Sequence, residues 1–244
     1  MQFVDKKIVK GKEVETWRIP ARTGAICLGY GPQKTLYKCL EKFEGEGFKG
    51  PKLLLDLSYP GNSPLKFDGW EAIKIKNLGT SKNIEVGWVM LKRPSKLICV
   101  EPDELPSQGW TKAALKLLDA HDVACAICTM DVHHEQHIPR FKPETQNYNG
   151  VEYVQFPLGY ATPWPCGVYS DRLLVHGLSN RGFYGELEPQ TQKKCYELGL
   201  KAAHMLDYKC QHLTGEDTYE AWKIRMGDGT ITETYEEWIN GKKT

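Results

Sequence analysis

Three histidines and an aspartate lie close together near the middle of the chain. The segment Asp131-Val-His133-His134-Glu-Gln-His137 contains three of the seven histidines in the sequence. Asp131, His133 and His137 offer one carboxylate and two imidazoles, which are suitable ligands for Zn, Mn or Fe. A divalent metal lowers the pKa of a bound water to about 7, so that a neighbouring carboxylate or histidine can remove its proton. The pattern therefore predicts a metal centre, with His134 as a candidate catalytic residue.

The elements that would position this segment are two apolar strands joined by a helix. Lys96 to Glu101 and Val123 to Met130 are predicted to be buried strands, and the apolar residues of Gln108 to Ala120 recur at helical spacing. A strand–helix–strand unit crosses over right-handed and makes its two strands parallel. Parallel strands end at the same edge of the sheet, which is where ligands usually bind.

Acidic residues follow the first strand of this unit, so we expect them near the histidines. Glu101, Asp103 and the adjacent Glu104 should lie at the same edge, and Glu101 or Asp103 is a candidate further ligand or general base. Asp56 ends another apolar run and would join them if that strand is also parallel.

Two basic residues follow the histidines. Arg140 and Lys142 are candidate substrate-binding residues, because their side chains could receive the anionic oxygens of a phosphorylated substrate.

A second candidate site surrounds a cysteine that follows two prolines. Cys166 is predicted to lie in a loop and is a candidate nucleophile, with His176 downstream as a candidate substrate-binding residue. Cys125 and Cys128 form a C-x-x-C, but in a strand their side chains would point to opposite faces, which favours packing in the core. His212 falls on a predicted C-terminal helix and is interpreted as structural.

Short stretches resemble known families without assigning one. The pattern Asp131-x-His133-x-x-x-His137-Ile138 is similar to the metal-binding stretch of nicotinamidases, although that family's D-x-Q and Thr-Asp-x-Cys-Val elements are missing. Cys166-Gly167, followed by His176 and Gly182-Phe-Tyr-Gly185, resembles the nucleophile region of viral chymotrypsin-like cysteine proteases. The stretch from Cys128 to Pro139 resembles the first strand of an HNH nuclease. No activity is carried over from these local resemblances.

The composition is that of an ordinary folded protein. The 32 basic and 31 acidic residues leave a net charge of +1, which argues against a large footprint for duplex nucleic acid but leaves room for a local basic patch. No apolar run is long enough to span a membrane, and the N-terminus lacks the apolar core of a signal peptide. The eight cysteines are interpreted as reduced thiols, which predicts a cytoplasmic protein.

The remaining patterns predict a single α/β domain over residues 1–244, with a mixed sheet, a central parallel βαβ unit and a β-rich N-terminal part. Helices are predicted at Thr35–Phe43 and, towards the C-terminus, at Pro189–His212. Strands are predicted at Ile8–Pro20, Ala25–Leu28, Lys52–Leu57, Ile84–Leu91, Val151–Phe156 and Arg172–Val175, and a final hairpin at Trp222–Met226 and Thr230–Thr234.

Together these features predict a metal-dependent hydrolase. Its substrate would be a small polar or phosphorylated molecule, bound at the carboxyl ends of the strands. One alternative is a non-enzymatic viral or assembly protein in which the histidines are structural. A second alternative is a metal-dependent nuclease built around the same histidines.

Overall fold

The described residues form twelve strands and five helices. The computed structural model describes residues 3–9, 12–18, 23–29, 33–57, 64–130, 138, 140–158, 164–178 and 187–213, with the backbone alone for the first two segments and residue 33. The helices are α1 (Gln33–Glu44), α2 (Thr80–Met90), α3 (Trp110–Leu117), α4 (Asp171–Leu174) and α5 (Leu187–Glu197). The strands are β1 (Phe3–Val9), β2 (Lys12–Arg18), β3 (Thr23–Gly29), β4 (Lys52–Asp56), β5 (Glu71–Lys74), β6 (Lys96–Val100), β7 (Glu104–Pro106), β8 (Val123–Met130), β9 (Gln146–Tyr148), β10 (Val151–Val154), β11 (Gly167–Ser170) and β12 (Lys201–His212).

A mixed ten-stranded sheet organises the described residues. Its order is β5-β4-β3-β6-β11-β8-β12-β10-β9, and β7 pairs with β12 off this path. The first four of these strands are mutually parallel, β11 is antiparallel to both β6 and β8, and β12 is parallel to β8. Strands β3, β4, β5, β6, β8 and β12 therefore all end at one side of the sheet, which we call the carboxyl edge. Strands β1 and β2 form a separate antiparallel pair.

Two hydrophobic clusters cover the two faces of this sheet. Helices α1 and α3 pack on one face, and α2, α4 and α5 pack on the other. Because successive residues of a strand point to opposite faces, each buried strand contributes to both clusters. Cys128 lies in the first cluster and Cys125 in the second, which confirms that these two cysteines are core residues on opposite faces.

The predicted fold class is confirmed. The chain is a mixed α/β protein, and β6, α3 and β8 form the central unit with both strands in the same direction. One detail differs from the prediction, because β11 lies between β6 and β8 and is antiparallel to both. The predicted hairpin at Trp222–Thr234 lies outside the described residues.

Two stretches predicted as strands are helical. Ile84–Leu91 lies in α2 and its C-cap, and a Cβ at Gly87 would be only 2.9 Å from Ile26 Cγ2, so the helix packs closely on β3. Arg172–Val175 lies in α4, where the Ser170 side chain accepts a hydrogen bond from the backbone N–H of Arg172. A serine at the N-cap favours a helix start and outweighs the strand-like apolar run.

The predicted long helix at Pro189–His212 is wrong in its second half. Helix α5 ends at Glu197, and Lys201–His212 is strand β12. Gly199 allows this break, since its φ of 67° is left-handed backbone that favours glycine after a helix. The apolar residues of β12 fit helical spacing as well, but the strand gains hydrogen-bonded neighbours in β8 and β10.

Each of the eight cysteines lies among the described residues, and each is a buried free thiol. Within the described part of the chain, no helix combines the length and apolar character required to cross a bilayer.

Candidate functional site

Strand β6 brings an acidic segment to the carboxyl edge. Glu101 follows the strand directly, and Pro102 turns the chain before Asp103 and Glu104. Strand β7 begins at Glu104 and runs back antiparallel to the end of β12. Asp103 and Glu104 are each 5% exposed, so their carboxyl groups are largely shielded from bulk water. A buried carboxylate requires an opposite charge or hydrogen bonds, which makes this segment a candidate cation site.

His212 completes the cluster from the other strand. It is the register partner of Glu104 in the β7–β12 ladder. Its Nε2 lies 3.6 Å from Asp103 Oδ2 and 3.9 Å from Glu104 Oε1. One ligand atom from each of the three side chains lies within 4.8 Å of the others. Two carboxylates and an imidazole form a donor set that suits a divalent ion such as Mn²⁺ or Zn²⁺.

Backbone pairing holds the two halves of this cluster together. The Leu213 N–H donates to the Asp103 carbonyl at 2.9 Å, beyond the end of the ladder. On the other side, the Ser107 N–H donates to the Lys209 carbonyl at 2.8 Å. A register shift in β12 between Met205 and Lys209 allows the last residues of the strand to pair with both β8 and β7. Such irregularities commonly redirect side chains near functional sites.

Asp56 also lies at the carboxyl edge, where β4 ends. Its side chain is buried, and Oδ2 accepts a hydrogen bond from the Leu65 N–H at 3.1 Å. Lys74 Nζ, at the end of β5, is 3.5 Å from Asp56 Oδ1. Strand β4 is therefore parallel to its neighbours, as the participation of Asp56 required, and Asp56 holds the backbone of Leu65 at this edge.

Glu188 is a further carboxylate at the same edge. It lies in the first turn of α5, and its carboxylate accepts a hydrogen bond from the backbone N–H of Trp164. Because β11 runs antiparallel to β6 and β8, the residues that precede it lie at the carboxyl edge. Burial raises the pKa of Glu188, although the backbone N–H groups of Glu188 and Trp164 oppose the shift. Its Oε2 atom is buried without a hydrogen-bond partner among the described residues. A carboxylate in this state is a stronger base than an exposed one.

The histidine-rich segment that follows β8 is not among the residues that the structure describes. Asp131, His133, His134 and His137 lie outside the described residues, and their roles stay predictions. Strand β8, which they follow, does end at the carboxyl edge.

The two candidate substrate-binding cations lie nearby in sequence. Both Arg140 and Lys142 are exposed. The guanidinium of Arg140 lies 5.3 Å from the centre of the Phe141 ring.

Cys166 and His176 occupy opposite ends of β11. Cys166 precedes the strand at the carboxyl edge and is fully buried, and burial raises its pKa well above the usual value. Its Sγ accepts a hydrogen bond from the Glu101 N–H at 3.4 Å. His176 follows α4 and is exposed. Since α4 begins where β11 ends, His176 lies towards the opposite edge of the sheet. The structure therefore brings Cys166 to the acidic segment and does not bring His176 there.

Sequence reasoning assigned no site role to His212 or Glu188. His212 was expected on a helix, where it could not oppose Glu104 across a ladder. Glu188 had one usable signal, because an acidic residue in the first turn of a helix interacts favourably with the helix dipole. That signal is common to many structural helices, so only the buried Oε2 atom of Glu188 at the carboxyl edge distinguishes it.

The fold is shared with solved glycosyltransferase structures. GalNAc-T7 with UDP, GalNAc and Mn²⁺ aligns with a TM-score of 0.59 and 11% identity, over 80% of this chain and 44% of that protein. The mannosyltransferase PcManGT from Pyrobaculum calidifontis with GDP-Man and Mn²⁺ aligns with a TM-score of 0.59 and 14% identity, over 84% and 61% of the two chains. S. aureus TarS 1–349 with UDP-GlcNAc aligns with a TM-score of 0.56 and 15% identity, over 81% and 60%.

These likenesses concern the fold, and this chain spans less than two thirds of each of the three proteins. No protein-family model matches the sequence, and no curated protein sequence is detectably similar to it. The prediction of a hydrolase is nevertheless wrong, as is the nuclease alternative, because the matching α/β structures are glycosyltransferases, and nothing in these likenesses supports the viral-protein alternative. The chain therefore shares its α/β fold with these three structures.

Proposed function

We propose that this protein is a metal-dependent glycosyltransferase that uses a nucleoside-diphosphate sugar as donor. One observation carries the proposal: the cluster of Asp103, Glu104 and His212 lies at the carboxyl edge of the sheet. Ligands of open α/β sheets bind at this edge. The likeness of the fold to structures solved with UDP and GalNAc, with GDP-Man or with UDP-GlcNAc, two of them with Mn²⁺, supports the same assignment.

Asp103, Glu104 and His212 would hold the metal. Oxygen and imidazole ligands fit Mn²⁺, and the ion when bound would neutralise the charge that develops on the departing diphosphate. The two carboxylates also have a role before the donor arrives, because they create a negative site that attracts a divalent cation. Glu101, which follows β6 directly, would contact the donor or its metal.

Glu188 would act as the base. In the proposed reaction an acceptor hydroxyl oxygen forms a bond to the anomeric carbon of the donor sugar. The bond from that carbon to the diphosphate oxygen breaks, and the electron pair leaves with the nucleoside diphosphate. The hydroxyl proton passes to the Glu188 carboxylate, whose raised pKa makes it a better acceptor.

The histidines and basic residues that follow β8 in the sequence would also contribute to the site. Asp131, His133 and His137 follow β8 and would contribute ligands or contacts to the donor at the same edge. Arg140 and Lys142 would contact the diphosphate. The substrate would then be a small molecule, as the sequence predicted, but the group transferred to the acceptor is a sugar.

A binding and turnover panel tests the proposal. Wild-type protein would be mixed with UDP- and GDP-sugars, with and without Mn²⁺, and nucleoside diphosphate release and thermal stability measured. We expect Mn²⁺-dependent stabilisation by at least one donor and slow release of its diphosphate, and we expect Asp103→Asn to abolish both. Glu152→Gln, a change of an exposed carboxylate on β10, is the matched control. If no nucleotide sugar stabilises the protein at saturating Mn²⁺, the proposal is wrong.

A further inference from the structure

We propose that buried thiols position the acidic segment of the candidate metal site. The inference rests on the proposed function for its catalytic consequence. The positioning contacts themselves are properties of the folded chain. The thiols concerned belong to Cys39, Cys128, Cys166 and Cys210, which are all between 0% and 1% exposed.

Two of these thiols bond directly to the backbone where it leaves β6. The Glu101 N–H donates to Cys166 Sγ at 3.4 Å. The next residue is held from a different element, because the Cys39 thiol, on α1, donates to the Pro102 carbonyl at 3.2 Å. Both contacts are long-range in sequence, and they hold the peptide groups on either side of the Glu101–Pro102 peptide, next to Asp103. They therefore set the direction in which the acidic segment leaves the sheet.

A third thiol links Cys166 to β12, the strand that carries His212. The Cys210 thiol lies beside the thiols of both Cys166 and Cys128, and each of these two neighbours influences its pKa. Cys210 is two residues before His212 and is the register partner of Pro106 in the β7–β12 ladder. A chain of contacts thus runs from the Glu101 N–H through Cys166 to Cys210 and the end of β12. The two halves of the metal site are connected below the surface as well as through the ladder.

Strand β8 also holds Cys166 in place. Cys128 lies on β8, and its N–H donates to the Cys166 carbonyl at 3.0 Å. The backbone of Cys166 is therefore held by β8, while its sulfur is held by Cys210 and Glu101. Cys166 therefore has little freedom to move. Its contact with the Glu101 N–H then holds the start of the acidic segment in place.

Neutral thiols suit this location because several carboxylates lie close to it. The pKa of both Cys166 and Cys39 is raised above the usual value. Burial is the largest cause, and interactions with neighbouring groups are smaller ones. The thiols therefore stay protonated and add no negative charge next to Glu101, Asp103 and Glu104. A thiol can still donate one hydrogen bond and accept another. Burial without thiolate character also makes these cysteines poor nucleophiles, so a supporting role fits them better than a reactive one.

Amide hydrogen exchange tests the positioning directly and does not depend on any ligand. In Cys166→Ala the Glu101 N–H loses its acceptor, so exchange at Glu101 should accelerate, and exchange at Leu213 should follow if the two halves are linked. Cys166→Ser restores an acceptor oxygen and should recover part of the protection. Cys195→Ala is the matched control, because Cys195 is equally buried but lies on α5. The control should lose stability without a selective effect at Glu101.

Mn²⁺ affinity, measured by electron paramagnetic resonance of the free ion, provides the functional readout. Replacing residues that hold metal ligands in place weakens metal binding about 10- to 100-fold, and we expect Cys166→Ala and Cys39→Ala to fall in this range while the control does not. The positioning inference is overturned if exchange at Glu101 in Cys166→Ala matches that in the control. If wild-type protein binds no Mn²⁺ but exchange at Glu101 still responds to Cys166→Ala, the proposed function fails and the positioning role stands.

Discussion

His212 lies directly opposite Glu104 in the antiparallel ladder between β7 and β12, with its Nε2 3.9 Å from Glu104 Oε1. The relationship depends on the register of two short stretches that are far apart in the sequence. A slip of one residue would turn the His212 side chain to the other face of the sheet. The candidate metal site is therefore a product of strand pairing, and substitutions in it should separate metal binding from folding.

Replacing His212 should weaken metal binding without unfolding the protein. His212 is partly exposed at the end of its strand, so His212→Ala removes a ligand and leaves little cavity. We expect Mn²⁺ affinity to fall by at least about tenfold, since even indirect changes have effects of this size. Isothermal titration with Mn²⁺ measures the loss, and Glu152→Gln serves as the control. Unchanged affinity in His212→Ala would remove this histidine from the site.

Replacing Glu188 should slow turnover while donor binding persists. Glu188→Gln retains the shape of the side chain but cannot accept a proton from the acceptor hydroxyl. General-base catalysis contributes about 10²- to 10⁴-fold, so we expect kcat to fall within that range and the KM for the donor to change little. The rate of wild-type enzyme should also decline as the pH falls through the raised pKa of Glu188. A variant with wild-type kcat would exclude Glu188 as the base.

Glu188 should also lower stability at neutral pH. Its pKa is raised in the folded protein, so above the ordinary glutamate pKa of about 4.3 the folded state holds a proton that the unfolded chain has released. The folded state then binds more protons, and the free energy of unfolding falls as the pH rises from about 4.3 through the raised pKa. Glu188→Gln is neutral throughout, so its stability relative to wild type should increase across that window and then level off.

Urea unfolding of both proteins at several pH values measures this difference. Parallel pH profiles for Glu188→Gln and wild type would show that the carboxyl group titrates normally in the folded protein.

Arg172 should be more important for stability than other surface cations. Its guanidinium donates to the carbonyls of Leu118, Ala120 and Val123, and also to that of His121, which together hold the turn between α3 and β8. Arg172→Ala leaves these carbonyls without their donor, so we expect a loss of roughly 2–3 kcal/mol in the free energy of unfolding. Denaturant unfolding measures the loss.

The matched control is Lys193→Ala, whose exposed ion pair with Glu197 spans 3.8 Å. Exposed pairs of this kind contribute at most about 1 kcal/mol. Equal effects of the two substitutions would mean that the carbonyl contacts of Arg172 do not hold the turn.

The sequence by itself determined the central unit and the place of the acidic residues. Apolar runs of strand length and the helical spacing of α3 predicted β6, α3 and β8, and parallel strands must end at one edge. Glu101, Asp103 and Glu104 were thereby assigned to that edge, where the structure has them. This information is local, because burial on both faces of a strand appears directly in its residue types.

Only the tertiary structure decided what joins these acids. The residues of β12 satisfy helical spacing, and they form a strand because β8, β10 and β7 supply its hydrogen-bonded partners. That choice places His212 opposite Glu104 and Cys210 beside Cys166. Metal ligands are also similar in hydrolases and transferases, so residue types could predict a metal but not the group that attacks. The likeness of the fold to solved glycosyltransferases overturned the predicted hydrolase, and the strand pairings that define this fold connect residues too distant for any local pattern to pair.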